Sequence, residues 1–137
     1  MKPKWTGIYP ALTTKFTDDF KVDIPSCIKN VEAQINSGIH GCVIAGSLGE
    51  ASTLTQDEKI FLLKEISNHV NGRIPVLMNI AEQSTAEAVK AAENAQETGA
   101  DGLMMLPPMR YVSDDRETIE FYKSVASSCN LPIMTYN

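Results

Sequence analysis

The residues best suited to chemistry fall in three short motifs, each directly after an apolar run. Gly46-Ser47-Leu48-Gly49-Glu50 is the first. Two glycines flanking a hydroxyl residue let consecutive backbone N–H groups point at one anion, and Ser47 can add its hydroxyl. The lysine of a phosphate-binding P-loop is missing, so a small carboxylate suits this loop better than a nucleotide. A plain tight turn is the competing reading. Leu106-Pro107-Pro108-Met109-Arg110-Tyr111 is the second. Paired prolines stiffen the chain there and could fix Arg110 and Tyr111 over a site; a rigid turn with a solvated arginine fits the spacing equally well. Met134-Thr135-Tyr136-Asn137 is the third. Strand alternation puts Tyr136 on the face of Met134, where a phenol can relay protons. A packed tyrosine with its hydroxyl bonded is the alternative.

Other candidates read more simply. His40 lies between a helix and a strand, on the side away from the three motifs. His69 falls in the last turn of a helix, where the dipole favours positive charge. Lys15 could form an imine, but nothing adjacent in sequence depresses its pKa, so a surface lysine is expected. Cys27, Cys42 and Cys129 are scattered, with no CxxC pair, and predict neither a disulfide framework nor a zinc site.

The elements that must position these motifs alternate regularly. Five apolar runs occur at Gly7–Thr14, Gly41–Ala45, Pro75–Ile80, Gly102–Leu106 and Pro132–Tyr136. Between them lie four segments with steps of three and four. These carry Ile24, Ile28, Val31 and Ile35; then Ile60, Leu63, Ile66 and Val70; then Ala88, Ala92 and Ala95; then Ile119, Tyr122, Val125 and Cys129. Thr55 to Glu58 and Ser84 to Glu87 fit the capping box. Gly38 and Gly99 fall where helices should stop. The spacing predicts βα units of about 30 residues, and the unbroken apolar runs suit parallel strands covered on both faces. No GxGxxG follows the first run, which ends Leu12-Thr13-Thr14-Lys15. A (β/α)8 barrel is therefore favoured over an open dinucleotide-binding sheet. A barrel of this kind takes ~250 residues. The expectation is four βα units plus a fifth strand, forming the N-terminal part of one barrel with no internal domain boundary. Bare sheet edges are hazardous, so we expect either a longer chain or a second copy covering them.

Composition excludes other classes. The chain has 137 residues, 43% apolar and 21% charged, with a formal charge of −5. That is globular rather than disordered. The absence of a basic run argues against a nucleic-acid or anionic-membrane surface. No apolar stretch is long enough for a transmembrane helix. The start, Met1-Lys2-Pro3-Lys4-Trp5, lacks a signal-peptide core. A cytoplasmic protein with reduced thiols is expected.

Taken together, the motifs resemble the dihydrodipicolinate synthase / N-acetylneuraminate lyase family. Gly7-Ile-Tyr-Pro-Ala-Leu-Thr-Thr14 followed by Phe16 is similar to that family's first strand. Gly46-Ser-Leu-Gly-Glu50, then Leu54-Thr55 and Glu58-Lys59, resembles its pyruvate-carboxylate loop and next helix. Gly72-Arg-Ile-Pro-Val76, Gly99-Ala-Asp-Gly102, Pro107-Pro108 and Leu131-Pro-Ile-Met-Thr-Tyr-Asn137 follow in the family's order. The resemblance spans the whole chain and the family's N-terminal half.

It implies a class I lyase acting on pyruvate or another 2-keto acid. A lysine on the sixth strand, beyond residue 137, would form a Schiff base whose imine serves as electron sink. Ser47 and the N–H groups of Ser47 and Leu48 would hold the substrate carboxylate. Tyr136 would shuttle protons. Arg110 would meet a polar group of the second substrate part, with Tyr111 beside it. The family uses no metal and no organic cofactor, and forms homotetramers built from dimers, with the loop after the fourth run reaching a neighbour's site. Departures bear on the reaction. Leu48 stands where dihydrodipicolinate synthases have a second hydroxyl residue. Met109 and Arg110 precede Tyr111 where those enzymes have tyrosines. Thr14-Lys15-Phe16 replaces Thr-Pro-Phe, and Asn79 and Ala81 stand where glycine is common. The segment Leu103 to Val112 is more similar to branches that dehydrate or deaminate keto acids or cyclic imino acids, including pyrroline-4-hydroxy-2-carboxylate deaminases. Two other readings stay open: a non-catalytic half-barrel that binds a keto acid or only associates, and a phosphate-binding aldolase on the same fold.

Overall fold

Each helix starts where a side chain can satisfy free backbone N–H groups. The computed structural model describes residues 5–136. Met1–Lys4 and Asn137, named above in the N-terminal and last motifs, lie outside them. Helix α1 (Ile24–Asn36) is capped by Asp23, which accepts from the Ser26 N–H, and carries Pro25 in its first turn. Helix α2 (Gln56–Val70) opens on the expected capping box between Thr55 and Glu58. Helix α3 (Thr85–Thr98) has half of one: Ser84 accepts from the Glu87 N–H, but no return bond from the Glu87 carboxylate is made. Helix α4 (Asp115–Ser128) has a full box between Asp114 and Glu117 that the sequence reading did not single out. Gly99 closes α3 at φ 98°, a left-handed conformation that glycine adopts without strain.

The apolar runs become a parallel sheet in the order β1-β2-β3-β4. The strands are β1 (Cys42–Ile44), β2 (Val76–Ile80), β3 (Gly102–Met105) and β4 (Ile133–Thr135). Val43 pairs with Leu77, Asn79 with Met104, and Met104 with Met134. The expectation of five strands is corrected to four among the described residues. The first run lies beside β1 and bonds to it: the Val43 N–H donates to the Pro10 carbonyl and the Leu12 N–H to the Val43 carbonyl. It forms only one isolated bridge, Ala11 to Val43. Pro10 has no N–H to extend the ladder, and Gly7 turns the chain at φ 93°. At the far end His40 Nδ1 accepts from the Ile8 N–H, so His40 is engaged in holding that end.

Alternation divides each strand between two faces. Cys42, Ile44, Val76, Met78, Ile80, Leu103 and Met105 pack with the helices in one continuous core. Val31, Leu63, Ile66, Ala92, Ala95 and Val125 meet them from the helix side. On α4 the expected Tyr122, Val125 and Cys129 pack on the core, but Ile119 is 52% exposed and Phe121 is buried in its stead. Leu77 and Asn79 point to the opposite, inner face of the sheet. This is a partial (β/α)8 barrel in which every described strand runs the same way.

The end of α2 is tied to α1 by charge. The Arg73 guanidinium donates to both Glu32 carboxylate oxygens, at 2.9 and 2.8 Å, and His69 Nε2 lies 2.8 Å from Glu32 Oε2. The Arg73 hydrogen bond, then that of His69, lowers the Glu32 carboxyl from 4.5 to about 2. A lowered carboxyl stabilises the fold above its unfolded pKa, and the contribution disappears as pH falls through the folded one. Glu32→Gln should therefore be less stable than the wild type at neutral pH. The gap in urea midpoint should close between pH 4.5 and about 2. A gap that stays constant across that span would remove Glu32 from this role.

Candidate functional site

Parallel strands deliver every β-to-α loop to one rim, where sites on such sheets form. The loop after β1 is shaped by its backbone. Ala45 at φ 51° and Glu50 at φ 58° are both left-handed, a costly conformation for residues with a Cβ. Between them Ser47–Gly49 forms one turn of 3-10 helix. Gly49 packs so closely that a Cβ there would come 2.9 Å from the Leu12 carbonyl oxygen. The Thr14 hydroxyl, buried, donates to the Gly49 carbonyl at 2.6 Å. The Ser47 and Leu48 N–H groups make no hydrogen bond among the described residues, which leaves them free to donate to a ligand. Both side chains are exposed, Leu48 at 70%.

Strand β4 brings Tyr136 to the same rim, where its N–H donates to the Met105 carbonyl at 2.9 Å. A cavity of about 300 Å³ is lined by Ser47, Leu48, Met104, Leu106, Met109 and Tyr136, with Ala11 of the first run. Three residues singled out from sequence thus meet: Ser47, Leu48 and Tyr136. Arg110 and Tyr111 do not line this cavity. Both are exposed, and the Arg110 backbone N–H donates to Gln83 Oε1 at 3.3 Å. Their place in the wall is taken by Met109. Tyr122 donates its hydroxyl to the Met105 carbonyl, and burial raises its pKa. It is engaged in packing.

Side chains that the sequence reading passed over also reach the rim. Lys59, buried, and Glu82, half-buried, form an ion pair, Nζ to Oε1 2.8 Å. Lys59 had only been part of a motif; the signal that could have found it is a lysine four residues after the Thr55 cap, between Glu58 and the apolar stripe. Asn79 is buried on the inner face in register with Met104, and its Oδ1 has no partner. Among the described residues no cluster of His, Cys, Asp or Glu is placed to hold a metal. No helix of the described residues is long and apolar enough to cross a membrane.

The sequence pattern of the Dihydrodipicolinate synthetase family matches residues 4–137. The chain belongs to this family. It is 33% identical over 134 residues to the 4-hydroxy-tetrahydrodipicolinate synthase of Moorella thermoacetica, covering 98% of this chain and 46% of that protein. It is 32% identical over 133 residues to YagE of Escherichia coli, whose provisional name is 2-dehydro-3-deoxy-D-gluconate aldolase, covering 97% of this chain and 44% of that protein. The crystal structure of YagE in complex with pyruvate superposes with a TM-score of 0.93 over 98% of this chain and 45% of that one, at 32% identity. The dihydrodipicolinate synthase of Acinetobacter baumannii, complexed with pyruvate, superposes at 0.92 over 96% and 45%, at 34% identity. The chain spans about half the length of the curated relatives it matches.

In this family member the buried Thr14 hydroxyl is what holds the loop after β1 against the first run. Thr14→Val leaves the Gly49 carbonyl without its donor, at a cost of about 1–3 kcal/mol. Thermal unfolding should show that loss. An unchanged melting temperature would mean that the loop is held by Gly49 packing alone.

Proposed function

We propose that the full-length protein is a Schiff-base-forming lyase acting on pyruvate or another 2-keto acid. The observation that carries this reading is the convergence of Ser47, Leu48 and Tyr136 on one rim cavity. Two free N–H groups and a hydroxyl suit a carboxylate, which accepts charge-assisted hydrogen bonds. Family relatives crystallised with pyruvate support the keto-acid assignment.

In this mechanism the Ser47 hydroxyl and the N–H groups of Ser47 and Leu48 donate to the substrate carboxylate. A lysine from the sixth strand, outside residues 1–137, attacks the ketone carbon; water leaves and an imine forms. Tyr136 passes protons between the ketone oxygen, the water that leaves and the carbon next to the imine. Loss of a proton from that carbon gives an enamine that can form a C–C bond or expel water or ammonia; in the cleavage direction the C–C bond breaks in the imine, which takes up the electron pair and becomes the enamine. Leu48 supplies no second hydroxyl, so proton transfer at the rim rests on Tyr136 and Ser47. That favours keto-acid aldol cleavage, dehydration or deamination over dihydrodipicolinate synthesis. Arg110 and Tyr111 lie outside the cavity in this chain, and we assign them to the second substrate part. The reading needs no metal and no organic cofactor. We take the protein to be a cytoplasmic homo-oligomer, for which the exposed Val112, beside the site segment, suits a subunit contact.

Exchange of pyruvate methyl protons with deuterium, followed by NMR, reads imine and enamine formation without a second substrate. Ser47→Ala should raise the half-saturating pyruvate concentration about 10- to 100-fold, for the loss of a hydrogen bond to a charged group worth roughly 1.5–3 kcal/mol. An unchanged value would take Ser47 out of carboxylate binding. Tyr136→Phe should fold normally and exchange about 10²–10⁴-fold more slowly at saturation, the range for one acid–base group. Near-normal exchange in that variant would contradict the proton-shuttle assignment. A wild-type protein with no exchange at all would favour the non-catalytic half-barrel.

A further inference from the structure

Three loops leave the strand ends around the cavity, and the middle one carries no residue of the mechanism above. It is Ala81-Glu82-Gln83, after β2, and it is bonded on both sides. Glu82 Oε1 accepts from Lys59 Nζ at 2.8 Å and from Gln56 Nε2 at 3.0 Å. Lys59 and Gln56 belong to the first turns of α2, directly after the Ser47 loop. The Lys59 side chain is 7% exposed and that of Glu82 15%. On the other side Gln83 Oε1 accepts from the Arg110 N–H, in the loop after β3. A second cavity, about 590 Å³, lies over these bonds, lined by Ser47, Ala51, Lys59, Glu82, Gln83 and Met109. Ser47 and Met109 line the smaller cavity as well.

A buried ion pair is poor evidence for stability, since apolar residues of similar volume often serve as well or better. Its distinctive property is directional: a carboxylate fixed by two donors holds a loop at one separation, where apolar packing does not. Here that loop stands between the carboxylate-binding turn and the Met109 wall. We propose that Lys59 and Glu82 are positioning residues for the keto-acid site. They fix the loop after β2, and with Gln83 they set the separation between the Ser47 turn and the Met109–Arg110 segment. This inference rests on the reading given under Proposed function.

The test uses the full-length protein with Lys59→Met, Lys59→Arg and the paired change Lys59→Met/Glu82→Leu. Hydrogen exchange by mass spectrometry reads the loops directly. In Lys59→Met, amides of residues 46–54 and 107–113 should exchange about tenfold faster, with the sheet unchanged, as for a local opening. Half-saturating pyruvate in the methyl-exchange assay should rise about tenfold, equivalent to 1.4 kcal/mol. The rate at saturation should stay within about threefold, since the bonded groups touch no reacting atom. Lys59→Arg should restore both readouts. Wild-type exchange in those two segments would overturn the proposal. So would faster exchange spread over the whole chain, or a fall in saturated rate as large as the loss of affinity. If Lys59→Met does not fold, the paired change, which strands no charge, decides the matter: fast loops and weak pyruvate binding support the tether, and wild-type behaviour overturns it. A wild-type protein inert toward pyruvate contradicts only the Schiff-base reading, and hydrogen exchange still decides the tether.

Discussion

Each strand of the sheet leaves in the direction of its neighbour, so the register between β1, β2, β3 and β4 fixes where every following loop must go. Parallel ladders cannot be closed by hairpins; each needs a crossover, here a helix. The crossover returns the chain to the start of the next strand, so all the β-to-α loops gather at one rim. The Ser47 turn, the Glu82 loop, the Met109 segment and Tyr136 share that rim for this reason alone. Their distances along the sequence reflect the length of a βα unit and not any contact among them. The same geometry leaves His40 and the Glu32–His69–Arg73 cluster at the opposite end, where they serve to hold the fold.

Within the rim, position is set by hydrogen bonds to the backbone. Thr14 holds Gly49, Gln83 holds Arg110, and the Tyr136 N–H holds the Met105 carbonyl. The left-handed Ala45 and Glu50 fold the intervening residues into a single turn in which the Gly49 N–H bonds the Gly46 carbonyl and the Ser47 and Leu48 N–H groups make no hydrogen bond among the described residues. A strained backbone of this kind persists only where its surroundings over-determine it. The close approach of Gly49 to Leu12 and the Thr14 bond supply that here. The ion pair of Lys59 and Glu82 extends the same logic from backbone to loops.

Much of this was legible in the sequence, for definable reasons. The strand runs were plain because both faces of a parallel strand are covered, so Val76–Ile80 needs no alternation. The α2 start was plain because a capping box is a local interaction. The first run misled because an apolar pattern does not register that Pro10 cannot donate to a ladder. Ile119 misled because its spacing matched the stripe, while the larger Phe121 ring took the buried position. Tyr136 and Ser47 could be placed together once the barrel was inferred, since strand ends converge. Arg110 could not be placed, because a loop after paired prolines has no periodicity to reveal its direction. Lys59 was missed because its partner lies 23 residues on, and a buried lysine looks, in sequence, like any helical surface lysine.

On the proposed function, this rim forms part of a keto-acid site whose amine comes from outside residues 1–137. Borohydride reduction of the full-length protein in the presence of pyruvate, with intact mass and peptide mapping, tests it most directly. The expected result is one adduct per chain, with the mass of pyruvic acid less one oxygen, on a lysine beyond residue 137. Trapping should also weaken when Ser47 is lost. No adduct, or an adduct on Lys15 or Lys59, would contradict the proposed function.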